Sequence, residues 1–236
     1  MAPESEILRV DCVGKRFGDR AVLTSATLRA YSGQVRVVYG RNGAGKSTLM
    51  RIGAGLMRPD TGVVHFRQRA LLRTALSTLA RDGLFWLPDH ELFSNAFSIG
   101  TQLSFFQRQF RGSVVSEVAA ACGIDHVLRQ RPYELSGGEL RRAEVAAAMI
   151  RRPVCLLADE PLRGIAPADA EHIGEFLRRI AAEGAAVVIT GHETTLFDHV
   201  ADHVTWCTDG TTYELGAPHE ALAHERFRRE YRALAS

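Results

Sequence analysis

Apolar positions along the chain follow two periods. ILRVDCV (7–13) alternates apolar and polar residues in the manner of a half-buried strand, and ATLRAY (26–31) is expected to pair with it. VRVVY (35–39), LFWL (84–87), VCLLAD (154–159) and AAVVIT (185–190) are short apolar runs of strand length, suited to a sheet buried on both faces. Between them the period lengthens. STLMRIGAGL (47–56), FSIGTQLSFFQRQF (97–110), SVVSEVAAACGI (113–124) and AEVAAAMI (143–150) carry helical spacing, and ADAEHIGEFLRRIAAEG (168–184) is an amphipathic helix stopped by Gly184. Pro59 to Gly62 marks a turn. VTWCTDGTTYEL (204–215) predicts a hairpin turning at Asp209-Gly210. The terminal HEALAHERFRREYRALAS (219–236) predicts a solvated helix. Strands alternating with helices on both sides of a helical stretch predict a parallel α/β core carrying an inserted helical subdomain. The expected division is one domain over 1–236, with 1–90 and 150–236 as the α/β core and 91–149 as the helical part.

Composition narrows the class. A chain of 236 residues buries roughly 70–75% of its unfolded surface and needs no staples. Cys12, Cys122, Cys155 and Cys207 are scattered, without CxxC or close histidine pairing, which fits a reducing cytosol and gives no zinc spacing. MAPESEILRV is not a signal peptide, and no apolar run approaches the ~20 residues that span a bilayer. The net charge of +2 gives no footprint for nucleic acid, so none is expected as a partner. Lysine occurs only at Lys15 and Lys46; arginine serves everywhere else.

That scarcity marks GRNGAGKS (40–47), which fits G-x-x-x-x-G-K-[ST] between a strand and a helix, a motif that serves as a phosphate-binding loop. Gly40, Asn42, Gly43, Ala44 and Gly45 turn backbone amides toward phosphate oxygens, at a helix N-terminus. Lys46 reaches the β- and γ-phosphates, where a compact ammonium fits and a planar guanidinium would not. Ser47 is placed to ligate Mg²⁺ and Thr48 to support the α/β-phosphate end. VCLLADEP then ends a strand in two acids. Strand alternation sends Asp159 and Glu160 to opposite sides, which assigns Asp159 to Mg²⁺ and Glu160 to the attacking water.

GRNGAGKST, LSGGE (135–139), CLLADEP and His192 after AAVVIT resemble, in order and spacing over nearly the whole chain, the ATP-binding subunits of ABC transporters. The resemblance implies a RecA-like phosphate-loop NTPase α/β fold with an N-terminal antiparallel β region and an inserted helical subdomain. It implies ATP and Mg²⁺ as cofactors and ATP hydrolysis that powers a membrane transporter, expected to be bacterial, and TQLSFFQRQFRG (101–112) looks like exporter-type subunits. It implies a second ATPase subunit, in a homodimer or heterodimer, packed head to tail: Ser136, Gly137, Gly138 and Glu139 of one copy would close over ATP held by the other. A Ser-Gly-Gly helix start is itself an anion site, and the chain already has one for its own nucleotide. Phe17 matches the aromatic that stacks on adenine, and His192 the switch histidine at the γ-phosphate. Integral membrane permease subunits are implied as partners, placing the chain on the cytoplasmic, inner face of the cell membrane. Two positions depart from the pattern. Asp89 stands where the family has glutamine after Leu-Pro; as a hard oxygen donor it is a further Mg²⁺ candidate and adds negative charge beside the phosphates. Ala166 stands where the family has an aspartate that links the two sites. Those departures keep open a second reading, a soluble ABC ATPase acting as an ATP-dependent clamp without solute transport. A kinase or GTPase lacks the signature loop and would need a guanine reader absent here.

Overall fold

A computed structural model of the protein describes residues 5–71, 75–90, 92–191 and 199–234. Its strands are β1 (Glu6–Phe17), β2 (Arg20–Tyr31), β3 (Val35–Tyr39), β4 (Thr61–Phe66), β5 (Arg69–Leu71), β6 (Leu84–Leu87), β7 (Cys155–Ala158), β8 (Ala186–Gly191), β9 (His203–Thr208) and β10 (Thr211–Gly216). Its α-helices are α1 (Lys46–Gly53), α2 (Leu76–Arg81), α3 (Ile99–Phe110), α4 (Val115–Ala121), α5 (Gly137–Arg151), α6 (Pro167–Ala182), α7 (Pro218–Ala223) and α8 (Glu225–Leu234).

The strands join in one ten-stranded sheet of order β5-β4-β1-β2-β10-β9-β3-β8-β7-β6. The half from β9 to β6 is parallel throughout. Strands β3, β6, β7 and β8 are the continuous apolar runs of the sequence, and β3, β7 and β8 are buried along their whole length, as strands covered on both faces must be. In the other half β1 pairs antiparallel with β2 and β4, and β4 with β5, while β10 meets β2 in parallel. The β9–β10 hairpin turns on Asp209 and Gly210, both at positive φ, and meets β2 through Thr211 and Ser25. This is a phosphate-loop NTPase α/β fold. One apolar cluster packs α3, α4, α5 and α6 against one face of the parallel strands. A second fills the space between the antiparallel strands, α1 and the opposite face.

Two expectations change. The terminal segment is two helices rather than one, because His224 adopts an extended conformation between α7 and α8. Nor is it wholly solvated: Phe227 is buried, its ring 5.9 Å from Tyr39 and 5.8 Å from Trp206. The strands β4 and β5 were not marked in the sequence pattern. Their turn uses Arg67 and Gln68 at positive φ, residues that give none of the usual Gly or Asn turn signal.

Candidate nucleotide site

The chain leaves the sheet at Gly40, where the fold leaves no room for a side chain. A Cβ there would stand 2.2 Å from the carbonyl oxygen of Cys207 on the adjacent β9. Cys207 also donates through Sγ to the Ala44 carbonyl at 3.3 Å, and Ala44 N–H donates to Arg41 O at 3.1 Å. The loop is thus fastened from behind while Asn42 and Gly43 stay exposed at its tip. Gly45 caps α1 in the left-handed region at φ 105, a conformation that costs glycine little. Lys46 opens the helix. Its ammonium is buried and donates to the carbonyls of Gly40, at 2.7 Å, and Arg41, at 3.2 Å. Burial holds its pKa below the ordinary lysine value, with Glu160 and Asp159 pulling the other way. Ser47 and Thr48 follow, half-buried, on the first turn.

Across the loop lies the acid pair. Strand β7 ends at Ala158, so Asp159 and Glu160 stand beyond it, and strand alternation is not what separates them. The separation comes from a turn: Glu160 takes a left-handed φ of 45. Asp159 faces inward, 1% exposed. Its Oδ1 accepts from Ser47 Oγ at 3.2 Å and from Thr190 Oγ1 at 2.7 Å. Thr190, the last residue of the run AAVVIT, also accepts from Glu160 N–H at 2.8 Å. One buried hydroxyl therefore orients both acids, a role that the sequence pattern did not single out. Arg163 approaches Glu160 Oε2 to 3.4 Å. Ser47 and Asp159 bring together two hard oxygens at the open side of the loop, a donor set that suits magnesium completed by phosphates and water. Asp89 is engaged elsewhere: its carboxylate contacts His90 Nδ1 at 2.7 Å. Among the described residues no three acidic, histidine or cysteine side chains converge as a metal cage.

Phe17 ends β1 with half its surface exposed. Its ring is not part of the core and is free to stack. Lys15, held by Asp60 at 2.8 Å, sits 5.9 Å from the ring centroid. His192 lies outside the described residues.

Ser136 is the N-cap of α5. It accepts from Glu139 N–H at 3.3 Å, while Glu139 accepts from Ser136 N–H at 2.9 Å and from its hydroxyl at 2.7 Å. This is a capping box. The Ser136 side chain and backbone, followed by His126, hold the Glu139 carboxyl down at about 2. Gly138 backs onto Asp169 of α6, which is paired with Arg142. Gly137 faces outward: among the described residues nothing lies within 4 Å of where its Cβ would be. Further along α5, Arg141 and Glu144 form a buried ion pair at 2.8 Å. Arg141 also donates to the carbonyls of Pro88, at 3.0 Å, and Asp89, at 2.6 Å. The opposed charges three residues apart are visible in the sequence, but the carbonyls they meet are not. Ala166 caps α6 without a side-chain bond and is followed by Pro167.

Residues 23–163 match the sequence model of the family described as ABC transporter. Among similar proteins, the phosphonates import ATP-binding protein PhnC 2 of Rhodopseudomonas palustris is 32% identical over 89% of this chain and 79% of its own length. The lipopolysaccharide export system ATP-binding protein LptB of Acidithiobacillus ferridurans is 31% identical over 96% of this chain and 97% of its own. In fold the chain is similar to an ATP-binding cassette of an ABC transporter in its ADP conformation, with TM-score 0.83 and 22% identity over 96% and 98% of the two chains. It is also similar to cbiO1 of Clostridium perfringens, part of the ABC transporter complex cbiONQ, with TM-score 0.79 and 24% identity over 98% and 96%. A phosphate loop backed by two acids and a glycine-rich second helix start, together with a family match over more than half its length, make the chain a member of the ABC transporter family, an ATP-binding subunit and an ATPase.

Proposed function

We propose that two copies of this chain, or one copy and a related subunit, close head to tail around two ATP molecules and drive a membrane transporter. The carrying observation is the second helix start. The phosphate loop and α1 already provide one anion site, and α5 presents another whose outer residue, Gly137, meets no neighbour among the described residues. An exposed Ser-Gly-Gly start is spare unless it serves a phosphate held by another molecule.

In this reading Phe17 stacks on adenine and the amides of residues 40–45 surround the β-phosphate. Lys46 leaves the Gly40 and Arg41 carbonyls for the β- and γ-phosphate oxygens, and Thr48 supports the α/β end. Ser47 and Asp159 hold Mg²⁺, which supplies charge neutralisation on the phosphates; Asp89 would join them only after releasing His90. Glu160 accepts a proton from the water that attacks the γ-phosphorus as the bond to the β-phosphate oxygen breaks, giving ADP and phosphate. His192 contacts the γ-phosphate, and Ser136, Gly137, Gly138 and Glu139 of the facing copy complete the pocket. Ser136 then donates to phosphate instead of to Glu139. We assign 91–149 to a helical subdomain inserted in an α/β core of 1–90 and 150–236.

Among the described residues no helix is long and apolar enough to cross a membrane, so transport requires a separate permease. We place its docking site beside the Asp89 loop and α3. Phe97 and Phe105 are more than half exposed there and line a pocket of about 400 Å³ with Ser94, Thr101, Gln102 and Arg108. The chain then sits at the inner face of a bacterial cell membrane. Relatives named for import and for export are similar to this chain to nearly the same degree, 32% and 31% identical, and in this reading the permease sets direction and cargo.

The test is Glu160→Gln. Hydrolysis is expected to fall by about a hundredfold or more with nucleotide affinity kept, and light scattering with ATP to give a dimer. Cysteines introduced at Gly43 and Gly137 should then crosslink between molecules. Unchanged turnover, or a persistent monomer without crosslinks, would overturn the reading.

A further inference from the structure

The buried Arg141–Glu144 pair is out of proportion to any stabilising role. Both side chains are less than a tenth exposed, and a buried ion pair is often no more stabilising than two apolar residues of similar volume. What an apolar pair could not do is hold backbone. After β6 ends at Leu87 the chain leaves the sheet, and the next two carbonyls, of Pro88 and Asp89, are both taken by the Arg141 guanidinium. Glu144 receives the other side of the same loop: its carboxylate accepts the backbone N–H of Leu92. One helical turn of α5 thus grips the loop at three backbone points, and the same helix is capped by Ser136, five residues before Arg141. A planar guanidinium meets two carbonyls and a carboxylate in fixed directions, which a lysine ammonium does not do.

We infer that Arg141 and Glu144 are positioning residues that lock the Asp89 loop to the signature helix, so that the loop and Ser136 move as one body. The inference rests on the proposed nucleotide roles of the Ser136 helix start and the Asp89 loop. In a closing dimer the helix start approaches the partner's phosphate. The lock makes that approach shift the position of Asp89 in its own subunit, without a contact between Asp89 and Ser136.

The experiment uses a nitroxide at position 90, whose native side chain is two-thirds exposed, in a Cys12→Ser, His90→Cys chain; the other three cysteines are buried. With the pair intact the spectrum is expected to show a single component restricted by the ordered backbone. In Arg141→Met/Glu144→Leu, which leaves no unpaired buried charge, a mobile component should appear, and in Arg141→Lys an intermediate one. Without the label, the double variant should lose between about ten- and a hundredfold in kcat, as expected for misplaced catalytic groups. KM for ATP should stay within about twofold, and Arg141→Lys should recover part of kcat. An unchanged line shape, or full kcat in the double variant, overturns the lock; so does a parallel loss of kcat and ATP affinity. If the double variant does not fold, Arg141→Lys decides by its line shape. Line shape needs no hydrolysis. A freed label in the double variant, alongside full turnover in Glu160→Gln, would therefore sustain the lock and reject the catalytic assignment instead.

Discussion

Lys46 is buried against its own loop, and this gives the site a pH signature. Burial lowers its pKa from 10.5, and bound phosphate favours the protonated form. ATP affinity should be flat at neutral pH and fall as pH rises through the lowered value, before 10.5 is reached. Titration with a fluorescent ATP analogue checks this, and Lys46→Arg, which keeps its charge, should bind weakly with no such fall. For the nucleotide-free protein the sign reverses. Between the lowered value and the ordinary one the unfolded chain holds more protons, so stability rises with pH across that window. Gly40 yields a steric prediction. Gly40→Ala drives a methyl group into Cys207 O, and should cost about 1–3 kcal/mol in denaturant melts with a loss of ATP binding. The phosphate loop was legible because its chemistry requires particular residue types in one contiguous run. Thr190 and Arg141 were not, because what they do depends on atoms 30 and 31, and 52 and 53, residues away, respectively.

At the scale of elements, α5 combines two duties at its first turn, capping itself and, in our proposal, meeting phosphate. Substitutions separate the two. Ser136→Ala loses the cap and should cost about 1 kcal/mol; Ser136→Asp restores a capping acceptor but brings a negative charge to the phosphate. We expect Ser136→Asp to melt below the parent protein, because it keeps an acceptor for Glu139 N–H but loses the hydroxyl that Glu139 accepts from, and to hydrolyse ATP as slowly as Ser136→Ala; rapid turnover in Ser136→Asp would separate the cap from the phosphate contact. The Glu139 carboxyl, with its pKa of about 2, keeps the box closed through mild acid. Its contribution is present above the ordinary carboxylate range and lost only as pH falls toward that value. Strands β3, β6, β7 and β8 were readable from unbroken apolar runs, β9 only as one arm of a hairpin, and α6 from its stripe and terminal glycine. The β4–β5 hairpin was hidden because Arg67 and Gln68 carry its turn. The break between α7 and α8 was hidden because its sequence, AHE, holds neither glycine nor proline.

Over the whole molecule, the parallel strands set the nucleotide site, and in our proposal the α3–α5 side faces a different partner. Phe97 and Phe105 stand out on a face that no segment of the described chain covers, and our proposal gives them to the permease. Phe97→Ser with Phe105→Ser should abolish co-purification with a membrane subunit while ATP affinity of the isolated chain stays within about twofold, since uniform binding is untouched. Retention of the partner would move the docking surface elsewhere.

Phe227 of α8 rests on Tyr39, the residue that hands the chain from β3 to Gly40. The tail is therefore a prop beneath the nucleotide pocket. Phe227→Ala should cost about 3–5 kcal/mol, and a protein shortened before Glu225 should grip ATP loosely even though every residue of the cradle is still there. Regulation applied to α8, by a binder or a modification that pries it away, would throttle ATP turnover from behind without entering the active cleft.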